Sequence, residues 1–213
     1  MKILVTAGPT REPIDPVRFI SNRSSGKMGY AVAKAAIARG HQVVLVSGPV
    51  ALAVPKGARG VPVMTAAEML AAVKQRVRWC DALVMAAAVA DWRPKHVAPR
   101  KLKKRRTAPR IDLERTDDIL STVARRKGRR IVVGFAAETD HVTEEAARKL
   151  AEKRLDLIVA NDVTRPDAGF EVDTNKVTFL TKDGTIQDLP VMTKDRVAGR
   201  LIRWIEREAE KQA

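Results

Sequence analysis

An α/β fold with a mainly parallel sheet is predicted by three observations. Short apolar, β-branched runs recur at residues 2–5, 42–47, 82–88, 131–135 and 156–160. Runs of that length and continuity suit buried strands better than helices. Between them lie stretches with helical spacing of apolar residues, and strands alternating with helices build a doubly wound sheet with ligands at the carboxyl ends of its strands. The tail differs: residues 175–181 and 185–190, joined by Lys182-Asp183-Gly184, read as a hairpin with an Asp-Gly turn. Together these describe a Rossmann-like three-layer sandwich with a C-terminal β-hairpin and helix. The length of 213 residues and the lack of a repeat or linker set 1–213 as one expected domain.

The first strand leads into residues 6–29, TAGPTREPIDPVRFISNRSSGKMG, a strand-to-helix loop. Loops of about twenty residues are uncommon inside compact domains unless they carry function. The helix over 28–39 has Ala31, Ala35 and Ala36 on its inner face and is closed by Gly40, so it can lie close to a sheet. After the second strand, Met69, Leu70, Val73 and Val77 mark one face of a helix. The strand at 82–88 is followed by KHVAPRKLKKRRTAPR at 95–110, with no acidic residue. So dense a run of like charge repels itself and is expected to be mobile without a ligand. Thr116, Asp117 and Asp118 open a helix reaching 126, because carboxylates favour helix N-termini. The helix over 142–153 places Val142, Ala146 and Leu150 on its core face. It also sets Lys149 and Lys153 one turn apart, a like-charge pair that an anion would relieve. Val197, Leu201, Trp204 and Ile205 form the buried stripe of the last helix.

Composition narrows the function. Lys and Arg number 40 against 25 Asp and Glu, a net charge of +15, which calls for an anionic partner: a nucleotide, a phosphorylated metabolite or nucleic acid. Nucleic acid is the weaker choice, because the basic run has no interleaved aromatic residues for base stacking. Cys80 is the single cysteine; it permits no internal disulfide, reads as a buried structural thiol and points to a reducing compartment. His41, His96 and His141 lack metal-ligand spacing, which argues against a zinc site and leaves any metal ligands unknown. No apolar run approaches a membrane span or a signal peptide, so a soluble cytoplasmic protein is expected.

The chemistry concentrates in the long loop. Ser24-Ser25-Gly26-Lys27 stands at a helix start, where hydroxyls, a permissive glycine and unpaired backbone N–H groups make an anion site. It is not a P-loop, since Ser21 occupies the place of the first glycine and Met28 follows Lys27. Nor does a Gly-x-Gly dinucleotide turn follow Gly8, which argues against a dinucleotide-binding reductase.

TAGPTREPIDPVRFISNRSSGKMG, AAVADWRP at 87–94, GFAAET at 134–139 and AND at 160–162 stand in one order over nearly the whole chain. In these motifs the sequence resembles phosphopantothenoylcysteine synthetase, in particular its bacterial CTP-dependent form. The resemblance implies a ligase that joins 4'-phosphopantothenate to L-cysteine through an acyl-cytidylate, using CTP and Mg2+ or Mn2+ and releasing CMP and pyrophosphate. An ATP-dependent version of that ligation, or a basic Rossmann-like nucleotide- or nucleic-acid-binding module, is the alternative.

Carried over by position, the resemblance implies that Asn22 contacts the acyl-nucleotide and that Ser24, Ser25, Gly26 and Lys27 bind phosphate. Ala87, Ala88 and Val89 would read the base through their backbone, and Asp91 would contact the nucleotide. Lys101 would meet the phosphates from a mobile flap. Asp117, Asp118, Ile119, Leu120, Phe135, Lys149 and Lys153 fall on further CTP-binding positions. Asp117 departs from the pattern, standing where many members have proline. Many bacterial members are fused behind a flavin-dependent decarboxylase. Because Met1 lies directly on the first strand, the chain is expected to be either a monofunctional synthetase or an excised domain, with no flavin of its own and a decarboxylase as a possible partner. A homodimer is implied, with the C-terminal hairpin as a candidate contact.

Overall fold

The computed structural model describes residues 1–103, 110–138, 140–162, 164, 169 and 171–212. In chain order the elements are β1 (Lys2–Ala7), β2 (Arg11–Pro13), β3 (Phe19–Ser21), α1 (Lys27–Ala38), β4 (Gln42–Ser47), β5 (Ala58–Pro62), α2 (Ala66–Arg76) and β6 (Ala82–Met85). They continue with β7 (Trp92–Pro94), β8 (Leu113–Arg115), α3 (Ile119–Ala124), β9 (Ile131–Glu138), α4 (Val142–Glu152) and β10 (Leu157–Asp162). The chain ends in β11 (Thr174–Asn175), β12 (Val177–Thr181), β13 (Ile186–Asp188), β14 (Met192–Thr193) and α5 (Lys194–Glu210).

One eight-stranded sheet, in the order β13-β12-β10-β9-β6-β1-β4-β5, carries the fold. From β5 to β10 its neighbours run parallel, and the C-terminal hairpin β12–β13 extends it antiparallel at the β10 edge. Successive strand side chains point to opposite faces. Accordingly Ile3, Val5 and Ala7 join the core under α1 and α5, whereas Leu4 joins the core under α2, α3 and α4. The expected three layers and mainly parallel sheet are present, and Trp204 packs half-buried against the α1–α5 core as expected.

Several expected elements differ in extent. Residues 6–29 are not an open loop: Arg11–Pro13 and Phe19–Ser21 pair as a small hairpin. The strand expected to reach Ala88 ends at Met85, because the chain then turns to bond residues 8–10. The helix expected from Thr116 begins at Ile119. Thr116 is used otherwise, its hydroxyl donating to the Ala90 carbonyl at 2.6 Å and its N–H to the Asp91 carbonyl at 3.0 Å. Asp118 caps the helix instead. Asp156 precedes its strand because its buried carboxylate accepts the Val132 N–H at 2.8 Å and meets Lys127 and Lys182 at 2.8 and 3.0 Å. Asn175 stands apart from the C-terminal hairpin, pairing with Met192.

Candidate active site

The β1 strand has β4 on one side and β6 on the other. The order of the sheet reverses between β1 and β6, and the crevice outside the carboxyl ends at such a point is where open α/β sheets bind ligands. Two loops meet there. The Ala88 N–H donates to the Gly8 carbonyl at 2.9 Å, and the Thr10 N–H returns to the Ala88 carbonyl at 3.3 Å. Thr6 and Thr10 hydroxyl oxygens accept the N–H groups of Ala87 and Ala90 at 3.2 and 3.0 Å. Asn22 completes the stitching, its amide nitrogen donating to the carbonyls of Ala88 and Val89, both at 3.1 Å. The backbone at 87–89 is therefore held rigidly from below, with several of its polar groups already engaged.

The start of α1 forms the next wall. Gly26 is its N-cap with φ of 78°, a left-handed conformation that a Cβ would strain, and the Gly26 N–H donates to Ser24 Oγ at 3.3 Å. The first N–H groups of a helix lack intrahelical partners, so the start of α1 offers donors that suit an anion. Lys27 reaches across the opening to the Glu171 carbonyl at 3.0 Å and the Asp173 carboxylate at 2.7 Å. Lys27 holds the Asp173 carboxyl below the usual range. A cavity of about 140 Å³ lies between these walls, lined by Ser24 to Met28, Ala86 to Ala88, Phe135 to Ala137, Asn161, Gly169, Asn175 and Lys194. It gathers Ser24, Ser25, Gly26, Lys27, Ala87, Ala88 and Phe135 from the sequence expectation.

The other expected residues stand outside its lining. Asn22 and Val89 join it through the bonds above, and Asp91 accepts the Thr116 N–H. Asp118 accepts the N–H of Ser121 at 2.9 Å, its hydroxyl at 2.7 Å and the Lys153 ammonium at 3.0 Å. Burial pushes its carboxyl upward, but these donors outweigh burial and hold it below the usual range. The anion beside Lys153 is thus supplied by the protein. Asp117 is exposed, while Ile119 is buried and Leu120 packs against the α2–α4 core, so any ligand contact at those two positions falls to their backbone.

The basic run also departs from expectation. β7 and β8 pair at its base, with Arg93 on Glu114 at 2.9 Å. The Ala98 N–H donates to the Ile14 carbonyl at 2.9 Å, and the Leu102 N–H to Asp15 at 3.1 Å. Arg18 closes the tether, bonding Asp15 and the Leu102 carbonyl. Arg18 chiefly, against the effect of burial, holds the Asp15 carboxyl far below the usual range. The stretch through Lys103 is therefore fastened to the β2–β3 hairpin, contrary to the expectation of mobility throughout, with Lys101 exposed beside the fastening. Arg105 and Arg106 lie outside the described residues.

Sequence reasoning missed Asn161, Lys194, Asp15 and Arg18. Asn161 lies in the AND tripeptide; it is buried at the cavity, and its Oδ1 has no hydrogen-bond partner among the described residues. Asp15 and Arg18 lie inside the long motif, but their partner Leu102 is 87 and 84 positions on, beyond any local pattern. Lys194 has no local sequence signal, since its partners are fixed only when the segment before β11 folds against α5. Cys80 is buried as expected, and burial pushes its thiol up to about 11. Among the described residues no three His, Cys, Asp or Glu side chains converge to hold a metal, and no helix is long and apolar enough to cross a membrane.

Comparison with known proteins places this geometry. The family model described as DNA/pantothenate metabolism flavoprotein C-terminal domain matches residues 1–208. The coenzyme A biosynthesis bifunctional protein CoaBC of Bacillus subtilis (strain 168) is 50% identical over 204 residues, covering 95% of this chain and 50% of the relative. The protein of the same name from Escherichia coli (strain K12) is 49% identical over 206 residues, with 95% and 50% covered. The chain thus spans about half the length of the curated relatives it matches. The crystal structure of the C-terminal domain of a coenzyme A biosynthesis bifunctional protein CoaBC superposes with a TM-score of 0.85 at 46% identity, covering 99% of this chain and 96% of that one. The resemblance drawn from the motifs is thereby borne out, and the chain belongs to the DNA/pantothenate metabolism flavoprotein C-terminal domain family, to which it is matched over nearly its full length.

Proposed function

We propose that this chain joins 4'-phosphopantothenate to L-cysteine with CTP as the activating nucleotide. The observation that carries the reading is the cavity beside the strand-order reversal. There an anion-binding helix start, Ser24 to Lys27, faces Ala87, Ala88 and Phe135. In the first step the 4'-phosphopantothenate carboxylate attacks the α-phosphate of CTP, forming the acyl-cytidylate and expelling pyrophosphate. In the second the cysteine amine attacks the acyl carbon, forming the amide and expelling CMP. Such chemistry needs positioning and charge neutralisation more than a nucleophile from the protein.

The residues divide the work accordingly. The α1 N-terminus, Ser24, Ser25 and Lys27 neutralise phosphate, and Lys101 adds charge from the fastened part of the basic run. Asn22 is the donor for the oxyanion, which requires it to release at least one of the two carbonyls it now holds. Ala87 to Val89, Asp91, Asp117 to Leu120, Phe135, Asn161, Lys149 and Lys153 are assigned to the nucleotide. The described side chains do not form a metal cage, so the Mg2+ or Mn2+ is assigned to the triphosphate itself, as is usual for Mg2+ with nucleotides. The reading includes a cytoplasmic setting and a decarboxylase partner, supported by the bifunctional relatives. Mass-spectrometric detection of phosphopantothenoylcysteine, with CTP and ATP compared, tests the function; product formed equally well with ATP would remove the CTP assignment.

The same reading includes a homodimer. The C-terminal hairpin exposes Ile186, whereas the β2–β3 hairpin exposes Val17 and Phe19, and the β7–β8 hairpin with the two ends of its connection exposes Trp92, Val97, Ile111 and Leu113. A large exposed apolar patch favours association, so the contact is assigned to these hairpins rather than to β12–β13.

A further inference from the structure

We propose that Lys194 is a positioning residue for the nucleotide: its buried ammonium draws Gly169 and residues 171–175 into place as one wall of the cavity. The inference rests on the functional reading above. Lys194 begins α5 and is only 5% exposed. Its Nζ donates toward the carbonyls of Gly169, Val172 and Thr174 at 2.9, 2.5 and 3.1 Å and toward Asn175 Oδ1 at 2.8 Å. Its own N–H donates to the Asp173 carbonyl at 2.9 Å. Four acceptors drawn from residues 169–175 therefore converge on one cation, and Gly169, Asn175 and Lys194 themselves line the cavity.

Among its described residues this short segment has no strand beyond Thr174–Asn175, and its carbonyls need partners if it is to stay against the protein. Lys194 supplies them from the buried side. Lys27, from α1, grips the same segment from the open side through Glu171 and Asp173. The two grips differ in consequence. Lys27 is solvent-accessible and belongs to the anion site, so an incoming phosphate competes with Asp173 for it. Lys194 is enclosed, and the wall it builds persists when Lys27 lets go. Among the described residues, the charged groups that act on Lys194 are Lys27 from α1 and Asp173 from the wall. Burial first, then Lys27, lowers its pKa to about 8. Holding an ammonium there is costly, and convergent acceptors are what make it tolerable.

The test uses the half-reaction, pyrophosphate release from CTP and phosphopantothenate without cysteine, together with hydrogen exchange of the peptide spanning 169–176. Wild type must first show CTP-dependent release; its absence would remove the functional reading rather than this inference. In Lys194→Met, KM for CTP should rise about tenfold or more, while kcat at saturating CTP changes less than about threefold. Exchange of the wall should quicken without change in the central strands. Lys194→Arg, which keeps the charge and the donors, should restore most of the affinity. An unchanged KM, or a fall in kcat alone as from a smaller folded fraction, would overturn the proposal. Should Lys194→Met not fold, the wild type supplies the measurement: among the lysines, one slowly exchanging Nζ resonance should be visible at neutral pH and shift with CTP. A failure to see it, or to see it move, would overturn the proposal equally.

Discussion

Asn22 is held on two carbonyls, and that occupation sharpens what its substitution should do. Asn22→Asp puts acceptor oxygens where an amide donates at 3.1 Å to Ala88 and Val89. It removes the proposed oxyanion donor and repels the loop beneath the nucleotide. Loss of one such donor costs about a hundredfold or more in turnover. Single-turnover pyrophosphate release should slow on that scale while CTP binding, followed by calorimetry, weakens far less. A collapse of CTP affinity with a normal chemical step would assign Asn22 to the nucleotide instead. A donor's residue type and place in a motif were legible in the chain; its resting partners were not, because they lie 66 and 67 positions away and are backbone atoms without a side-chain signature.

At the scale of elements, the strands buried on both faces were readable because β-branched runs leave little alternative. Those that escaped are the ones hydrophobicity does not mark. β5, Ala58–Pro62, is an edge strand with only Val61 as a large apolar side chain, and β2, β3, β7 and β8 have three residues each. The basic run shows the same limit, since its tether depends on Asp15 and Arg18 in another hairpin. Asp15→Asn should loosen residue 102 and so displace Lys101, slowing nucleotidyl transfer in the same direction as Lys101→Gln. Because the Asp15 carboxyl is held below its ordinary value of 3.8, the tether is complete above that pH and is lost only as pH falls through the lowered value. Proteolysis of the run should therefore be unchanged from pH 8 to pH 5 in wild type and faster at both in Asp15→Asn. Equal protection of the variant would contradict the tether.

The seat of α1 on β1 is a second elemental feature. A Cβ at Gly29 would stand 2.5 Å from Ala7 Cβ and 2.9 Å from the Thr6 carbonyl oxygen. Both are too close for real atoms, and both belong to the strand that feeds the site. Gly29→Ala should push the helix off the sheet, destabilise the protein by about 1–3 kcal/mol as overpacking does and weaken phosphate binding at the displaced N-terminus. Denaturant unfolding beside CTP titration checks both effects. Unchanged stability would mean that the helix adjusts without strain.

Across the whole molecule, the cavity is lined from the start of α1, which follows β1, and from the carboxyl ends of β6, β9 and β10, and the two apolar hairpins follow β1 and β6 on that same side. Assembly through those hairpins would set two sites near one shared surface. Sedimentation of Phe19→Glu should show a monomer where wild type is dimeric, whereas Ile186→Glu should leave the dimer intact; the reverse outcome would return the contact to the C-terminal hairpin. The net charge of +15 pointed to an anion without naming it, and the strand-order reversal is where we propose that it binds. The central claim, a nucleotide-activated carboxylate at that reversal, is tested most directly by pyrophosphate release with cysteine left out. The account predicts release that requires both CTP and phosphopantothenate, is much weaker with ATP and stops near one equivalent per site. Release that depends absolutely on cysteine, or that proceeds without phosphopantothenate, would contradict it.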